Sequence, residues 1–333
     1  MSKTMLKKID IIDSEIKYPE FENNKVSTKT IIAHTNLSFN IDYLFENLPI
    51  TPYVFVPKKR GRKKKSEVPK PEQKLLDGSI ITLKNANKIR GVETKRKKKQ
   101  TRRSKTYFRN SLTVVMMIMN KKLNFKLSKN GKFQITGCKT DEQAELCVKN
   151  LWNMIKKNEK MYKLNEKKLE VMFAPAMRNI DFDLGFFIDR EKLSRYINDN
   201  TEYYSMLEAS FGYTGVNIKF PMTEDITKLV IKKLIYNKDV WEEHSATYGD
   251  YLNTYNEKER NKKQNKRRYT TFLLFHSGRA IESGLHEEYM RGPYNKFIDI
   301  IKKARPVIEE KLDSSESDSD SESEIDSANI HKF

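Results

Sequence analysis

Along the chain, apolar and polar positions fall into runs of strand period and runs of helical period, and the same order of runs occurs twice. Val26 to Asn36 is rich in β-branched residues (Val26, Thr28, Thr30, Ile31, Ile32, Thr35) and predicts an opening strand. Asn40 predicts the cap of a short helix from Ile41 to Leu48 that Pro49 ends. Gly78 to Gly91 and Leu112 to Met119 predict further strands, and Asn130-Gly131 a tight turn. From Asp141 to Lys156, Ala144, Cys147, Val148, Leu151 and Ile155 share one helical face, with Thr140 and Gln143 as a capping box and Trp152 as core. Then the order returns: a strand over Val171–Leu184, a helix Arg190–Ile197 capped by Asp189, and a strand Tyr213–Phe220. Phe272 to Phe275 turns at Ser277-Gly278 into Arg279–Ser283, and a helix runs out to Leu312. Between Thr223 and Arg268 the spacing of Ile226, Leu229, Val230, Lys233 and Leu234 predicts a mostly helical insertion that the first copy lacks.

Two local matches support duplication. Gly131-Lys132-Phe133-Gln134-Ile135-Thr136-Gly137 has the layout of Gly278-Arg279-Ala280-Ile281-Glu282-Ser283-Gly284, an offset of 147 residues (131 to 278). Asn36 to Asp42 resembles Asp183 to Asp189, and Phe39 to Phe186 is again 147. The organisation that follows is an arm over 1–24, a first repeat over 25–158, a second repeat over 168–312 with its insertion at 222–268, and a tail over 313–333.

Charge narrows the partner. The formal net charge is +19, although the tail from Asp313 to Asp326 alternates Ser with seven acids, so the rest of the chain carries +26. Such a body calls for a polyanion, and nucleic acid is the commonest one. Two basic loops (57–74 and 93–106) hold much of it: KKRGRKKK from Lys58 to Lys65, and eight cations from Lys95 to Lys105. Without both, +11 remains on the body. The Arg60-Gly61-Arg62 core resembles an AT-hook; the same run suits plain phosphate attraction or nuclear import. The tail reads as a solubilising end, a kinase substrate or a competitor of DNA for the basic surface. Cys138 and Cys147 predict reduced, partly buried thiols of a cytosolic or nuclear protein. No signal peptide or apolar run of spanning length is evident, so a membrane partner is not expected. The five histidines show no metal-ligand spacing and nothing resembles a P-loop or nucleophile elbow, so the expectation is a binding protein without a cofactor.

Leu273-Leu274-Phe275-His276-Ser277-Gly278-Arg279 resembles the strand-turn-strand that precedes the last helix in each repeat of the TATA-box-binding protein family, and Arg305-Pro306-Val307-Ile308 is similar to that family's final helix. The lysine- and asparagine-rich composition and long insertions resemble the versions encoded by large cytoplasmic DNA viruses. The resemblance implies an α+β saddle: two tandem pseudo-symmetric repeats forming one curved antiparallel sheet, with helices on the convex face. It also implies a monomer on double-stranded, A·T-rich DNA, bent through the minor groove, with a transcription factor IIB-like protein and RNA polymerase as partners. The location implied is the cytoplasmic viral factory or the virion, with the nucleus as the alternative.

Carried onto this sequence, the resemblance places Phe275 as a wedge between base steps, Leu273 as its neighbouring groove contact and Tyr213 as the partner wedge. Strand alternation sets Ile281 and Ser283 on the same face, as it does Gln134 and Thr136 in copy one. On the opening strands that face takes Thr30, Ile32, Met177 and Asn179, while Arg279 and Lys132 suit phosphates. Copy one lacks an evident ring pair: Phe125 or Leu127, brought in by a longer turn, and Leu112 are its candidates. Arg60 and Arg62 would add minor-groove contacts. The competing expectation is an architectural protein that coats a viral genome without site preference; an accessory domain of a DNA glycosylase, a third reading, is disfavoured because no carboxylate cluster accompanies it.

Overall fold

The computed structural model describes residues 18–54, 74–92, 110–208 and 215–310, so Tyr213, Arg60, Arg62, most of both basic loops and the acidic tail lie outside the described residues. The first repeat runs β1 (Lys25–Thr35), β2 (Leu37–Phe39), α1 (Ile41–Asn47), β3 (Ile80–Asn85), β4 (Lys88–Gly91), β5 (Ser111–Ile118), β6 (Lys121–Ser128), β7 (Lys132–Cys138) and α2 (Asp141–Ile155). A short β8 (Tyr162–Leu164), paired with β2, leads into the second repeat. That repeat runs β9 (Leu169–Asp183), α3 (Arg190–Asn200), β10 (Tyr204–Glu208), β11 (Gly215–Pro221), β14 (Tyr269–Phe275), β15 (Arg279–Gly284) and α6 (Glu287–Ile308). Between β11 and β14 lie β12 (Val230–Asn237), β13 (Val240–Thr247), α4 (Tyr248–Asn253) and α5 (Glu257–Gln264).

The main sheet is antiparallel and reads outward from its middle in the same way on both sides. β1-β7-β6-β5-β3 on one side answers β9-β15-β14-β11-β10 on the other, with β1 and β9 paired at the centre. The centre is a pseudo-twofold axis. Lys29 faces Arg178, while Thr28 faces Asn179 and Thr30 faces Met177, pairs that the axis exchanges. Each opening strand has one bulge, at Ser27 and at Ala176, and these too are exchanged. A bulge bends a strand and increases its twist, so two symmetric bulges at the middle curve the whole sheet. On the helix side of the axis, Lys29 bonds Asp141 at the start of α2 (2.8 Å), and Arg178 bonds Glu287 at the start of α6. Each basic residue fixes its own repeat's closing helix, whose acidic first turn already suits the positive end of the helix dipole.

These contacts correct the sequence alignment of the repeats. The hairpins and their glycines obey the offset of 147, but Lys29 to Arg178, Leu37 to Phe186 and the helix caps Asn40 to Asp189 are 149 apart. The apparent match of Phe39 to Phe186 is therefore two residues out. Because side chains alternate with period two, the slip leaves each opening-strand residue on the face assigned to it.

The alternating pattern buries one side of the sheet under the helices. Phe125, Phe133, Ile135 and Leu127 pack with α1 and α2 in the first repeat, and Phe272, Leu274, Phe182 and Val216 pack with α3 and α6 in the second. Phe272 stacks on Phe297 of α6 with ring centroids 4.2 Å apart. Each such side chain contributes about 1.5–3 kcal/mol by leaving water. Both cysteines are buried free thiols, and burial pushes the Cys138 pKa up to about 12.

Several local expectations change. Gly78 to Gly91 is not one strand but the hairpin β3-β4, turning where Ala86 has positive φ. Thr140 makes no side-chain cap; instead the Gln143 side chain accepts from the Lys139 N–H. After a single 3-10 turn at Ile226–Lys228 the insertion forms a hairpin rather than a long helix, turning at Lys238 and Asp239, both of positive φ. Its strand β12 pairs with Leu169–Phe173 of β9, an edge left open by β15.

The two hairpin turns share one requirement. Gly131 and Gly278 both have positive φ, and a Cβ on them would run into the carbonyl oxygens of Leu37 and Phe186 respectively. Only glycine satisfies the backbone angle and the close approach together. Gly278→Ala is expected to lower stability by about 2–3 kcal/mol, read from the shift of the urea midpoint.

Candidate nucleic-acid interface

Opposite the helices, the second repeat presents a sheet face that is bare among the described residues. In β14, Thr270, Phe272 and Leu274 are buried, whereas Thr271, Leu273 and Phe275 are half-buried and Tyr269 is exposed on the other side. β15 alternates in phase: Ile281 stands beside Leu273, Ser283 beside Thr271, and Arg279 is exposed at the hairpin. The face extends outward through Asn217 and Lys219 of β11 to the exposed Met206 and Tyr204 of β10. Asp181 and Asp183 face Ile281 and Arg279 from β9, so this half is apolar and nearly balanced in charge. Phe275 is thus not packed beneath the helices.

The first repeat differs at the pseudo-equivalent positions. Offset by 147, Phe275 answers to Ser128, Leu273 to Lys126, Ile281 to Gln134, Ser283 to Thr136 and Arg279 to Lys132. Phe125 and Leu127 are core residues, 1% and 0% exposed, and Leu112, at 0%, pairs with Leu127 on the same buried side. They cannot be wedges. The longer turn they would need is absent: the Gly131 N–H bonds Ser128 O just as the Gly278 N–H bonds Phe275 O. Farther out, Ile81, Val115 and Met117 do lie on the open side, but Tyr53, Leu75 and Val92 pack over them. At the axis, Thr30 and Asn179 are 8% and 2% exposed, and the Asn179 Oδ1 is buried without a partner, so neither offers a free edge to a base. Met177 remains half-buried beside them.

The insertion also lies on this face. Tyr248, Tyr251 and Leu252 of α4 pack with Ala174, against which Ile32 and Met172 also rest. His34, on the same face by its pairing with Lys132, packs its ring on Tyr251 and Tyr255 at 6.1 and 5.9 Å. Burial there, reinforced by the Lys132 charge, lowers the His34 pKa to about 4. Lys132 places its ammonium 3.6 Å from the Tyr255 ring centroid. Together the insertion and the sheet enclose a cleft of about 440 Å³, lined by Ile32, Lys126, Ser128, Lys132 and Gln134 below and by Tyr251, Tyr255 and Lys263 above. Ile32 and Lys132 are therefore on the expected face but roofed, while Gln134 lines the same cleft and stays exposed. The aromatic insertion residues and Lys126 escaped the sequence reading; the four-residue spacing of Tyr251 and Tyr255 was the one signal for them.

Among the described residues no group of three or more His, Cys, Asp or Glu could hold a metal ion, and no helix is long and apolar enough to cross a membrane. The architecture defines an α+β protein built of two pseudo-symmetric half-saddles sharing one curved antiparallel sheet. This is the arrangement that the sequence resemblance to the TATA-box-binding protein family implied. No family model matches the chain. Over 218 residues it is 29% identical to the uncharacterized protein 335L of Invertebrate iridescent virus 6, covering 62% of this chain and 64% of that protein. Over 228 residues it is 25% identical to the TATA-box-binding protein-like protein of Acanthamoeba polyphaga mimivirus, covering 61% of this chain and 56% of that one. The chain thus spans less than two thirds of the length of each relative. The solved Methanococcus jannaschii TBP is 13% identical, with a TM-score of 0.42 over 86% of this chain and 99% of that structure.

Proposed function

We propose that the protein binds A·T-rich duplex DNA on the face opposite its helices, bends it through the minor groove, and acts in transcription initiation. The observation that carries the reading is the hairpin of the second repeat. It projects Leu273, Phe275 and Ile281 from a curved sheet with Arg279 at the rim, in a molecule whose net charge is +19. Apolar side chains on such a face replace base stacking, cations hold phosphates, and the cost of bending supplies the preference for A·T-rich steps. A·T and T·A present the same acceptors in that groove, so a face with few polar side chains suffices there. The similarity to the mimivirus TATA-box-binding protein-like protein supports the same assignment.

In this reading the kink is one-sided. Ser128 and Lys126 stand where the second repeat has Phe275 and Leu273, so the first repeat grips without a wedge of its own hairpin. The helices α2, α3 and α6 on the opposite side remain available to a factor IIB-like protein and RNA polymerase, and the chain works as a monomer in the cytoplasmic factory. The missing second wedge also favours a rival, an architectural protein that coats DNA without site preference. Footprinting on promoter-containing fragments, with A·T-rich and G·C-rich competitors at fixed salt, separates the two. A discrete footprint displaced only by A·T-rich duplex supports the initiation factor; uniform protection with equal competition supports the coat.

A further inference from the structure

We infer that the cleft between the insertion and the first repeat is a binding site for one phosphorylated nucleotide unit, presented by a single strand of nucleic acid or by a free nucleotide. This goes beyond the duplex reading and stands independently of it. At about 440 Å³ the cleft is of small-ligand size and far too narrow for a duplex. Lys126, Lys132 and Lys263 line it, and none of its lining residues is acidic.

The charge there is only partly compensated. Lys132 and Lys263 converge on one ring, their ammonium groups 3.6 and 4.6 Å from the Tyr255 centroid. Among the described residues neither forms an ion pair with a carboxylate, although at Lys132 the nearby Glu259 charge outweighs that of Lys263. Burial, first, and the charge of Lys263, second to that of Glu259, act on Lys132, whose pKa lies below the usual lysine range. Two cations held together in a partly desolvated cleft repel each other, and an anion seated between them relieves that cost. A phosphate does so with strong charge-assisted hydrogen bonds.

The remaining lining suits the rest of a nucleotide. Gln134 offers an amide donor and acceptor, and Tyr255 a half-exposed aromatic surface, the combination of cationic groove and ring that single-strand binders use. Tyr251 fixes that ring, its hydroxyl 2.6 Å from the Tyr255 hydroxyl. The insertion roofs this repeat, whereas among the described residues the equivalent region of the second repeat, around Leu273 and Ile281, has no such cover.

The test is fluorescence anisotropy with a labelled short oligothymidylate and the full chain at physiological salt. Combining Tyr255→Ala with Lys263→Gln is expected to weaken binding about tenfold or more, whereas Lys296→Gln, exposed on α6 at the opposite side of the sheet, changes it by less than about twofold. Tyr255→Phe, which keeps the ring, should stay within about twofold of the parent, and thermal melts check that each variant is folded. Unlabelled thymidine monophosphate and inorganic phosphate serve as competitors. Displacement by the nucleotide at concentrations where phosphate does nothing supports the assignment and identifies the free nucleotide as sufficient. Displacement by neither, with the double variant still impaired, supports a polymeric strand as the source. Equal displacement by phosphate, or a double variant that binds like the parent, overturns the proposal. Duplex bending by Phe275 is unaffected in every arm, so failure here and failure of the promoter reading are separable.

Discussion

Replacing Phe275 with alanine is expected to weaken binding to a bendable A·T-rich duplex by about 2–3 kcal/mol, roughly 30- to 150-fold, and to reduce the bend angle with it. The reason is local. Phe275 ends β14 on the face away from the helices, so its ring contributes little to the core and is free to enter a base step. Without the ring, the unstacked step has nothing to pack against and the kink is no longer stabilised. Ser128→Ala, at the pseudo-equivalent position, should change affinity by less than about twofold, because a hydroxyl there supplies no stacking. Gel-shift titration against circularly permuted fragments reports affinity and bend in one experiment. Unchanged affinity and bend in Phe275→Ala would sink the wedge assignment, provided the melting temperature is preserved.

The contrast between Phe275 and Ser128 also marks how much of the site is legible in the sequence. The hairpins were legible because they are local: strand, two-residue turn, strand, with glycine at the one position where φ must be positive. Their repetition then implied the saddle. The alignment of the opening strands was not legible, since Phe39 and Phe186 match in type while the backbone equates Leu37 with Phe186. The wedges of the first repeat failed for a related reason. Phe125 and Leu127 need a longer turn to reach the open face, but with the turn as it is they share the alternation of Phe272 and Leu274 and so must face the helices.

The insertion is the larger lesson. Ile226, Leu229, Val230, Lys233 and Leu234 fit a helical period, yet Val230 to Asn237 is a strand. Its β-branched pair Val230-Ile231 and the Asn237-Lys238-Asp239 turn were the better guides, and a free edge on β9 decided the outcome. That α4 then folds back onto Ala174 depends on contacts between residues far apart in sequence, which no local window contains. Among the described residues the two halves of one symmetric face now differ, one bare and apolar, the other roofed and cationic.

The same alternation that bares Ile281 and Ser283 turns Glu282 inward, where it is 0% exposed and neither carboxylate oxygen has a partner. Burial raises its pKa to about 9, with Arg178 opposing the shift only in part because that guanidinium is bonded to Glu287. The folded protein therefore holds Glu282 protonated at neutral pH, while the unfolded chain ionises it near the ordinary value of 4.5. With the folded pKa above the unfolded one, the stability linked to this group is full below about pH 4.5 and is lost as pH rises toward about 9. Glu282→Gln removes the ionisation but keeps the shape. It is expected to raise unfolding stability at pH 7 by about 2–3 kcal/mol, and to leave it within about 1 kcal/mol of the parent at pH 4. Urea midpoints measured for both proteins from pH 4 to 9 should diverge steadily with pH. Parallel curves would mean that Glu282 is solvated or paired, and that β15 does not press its inner face against α6.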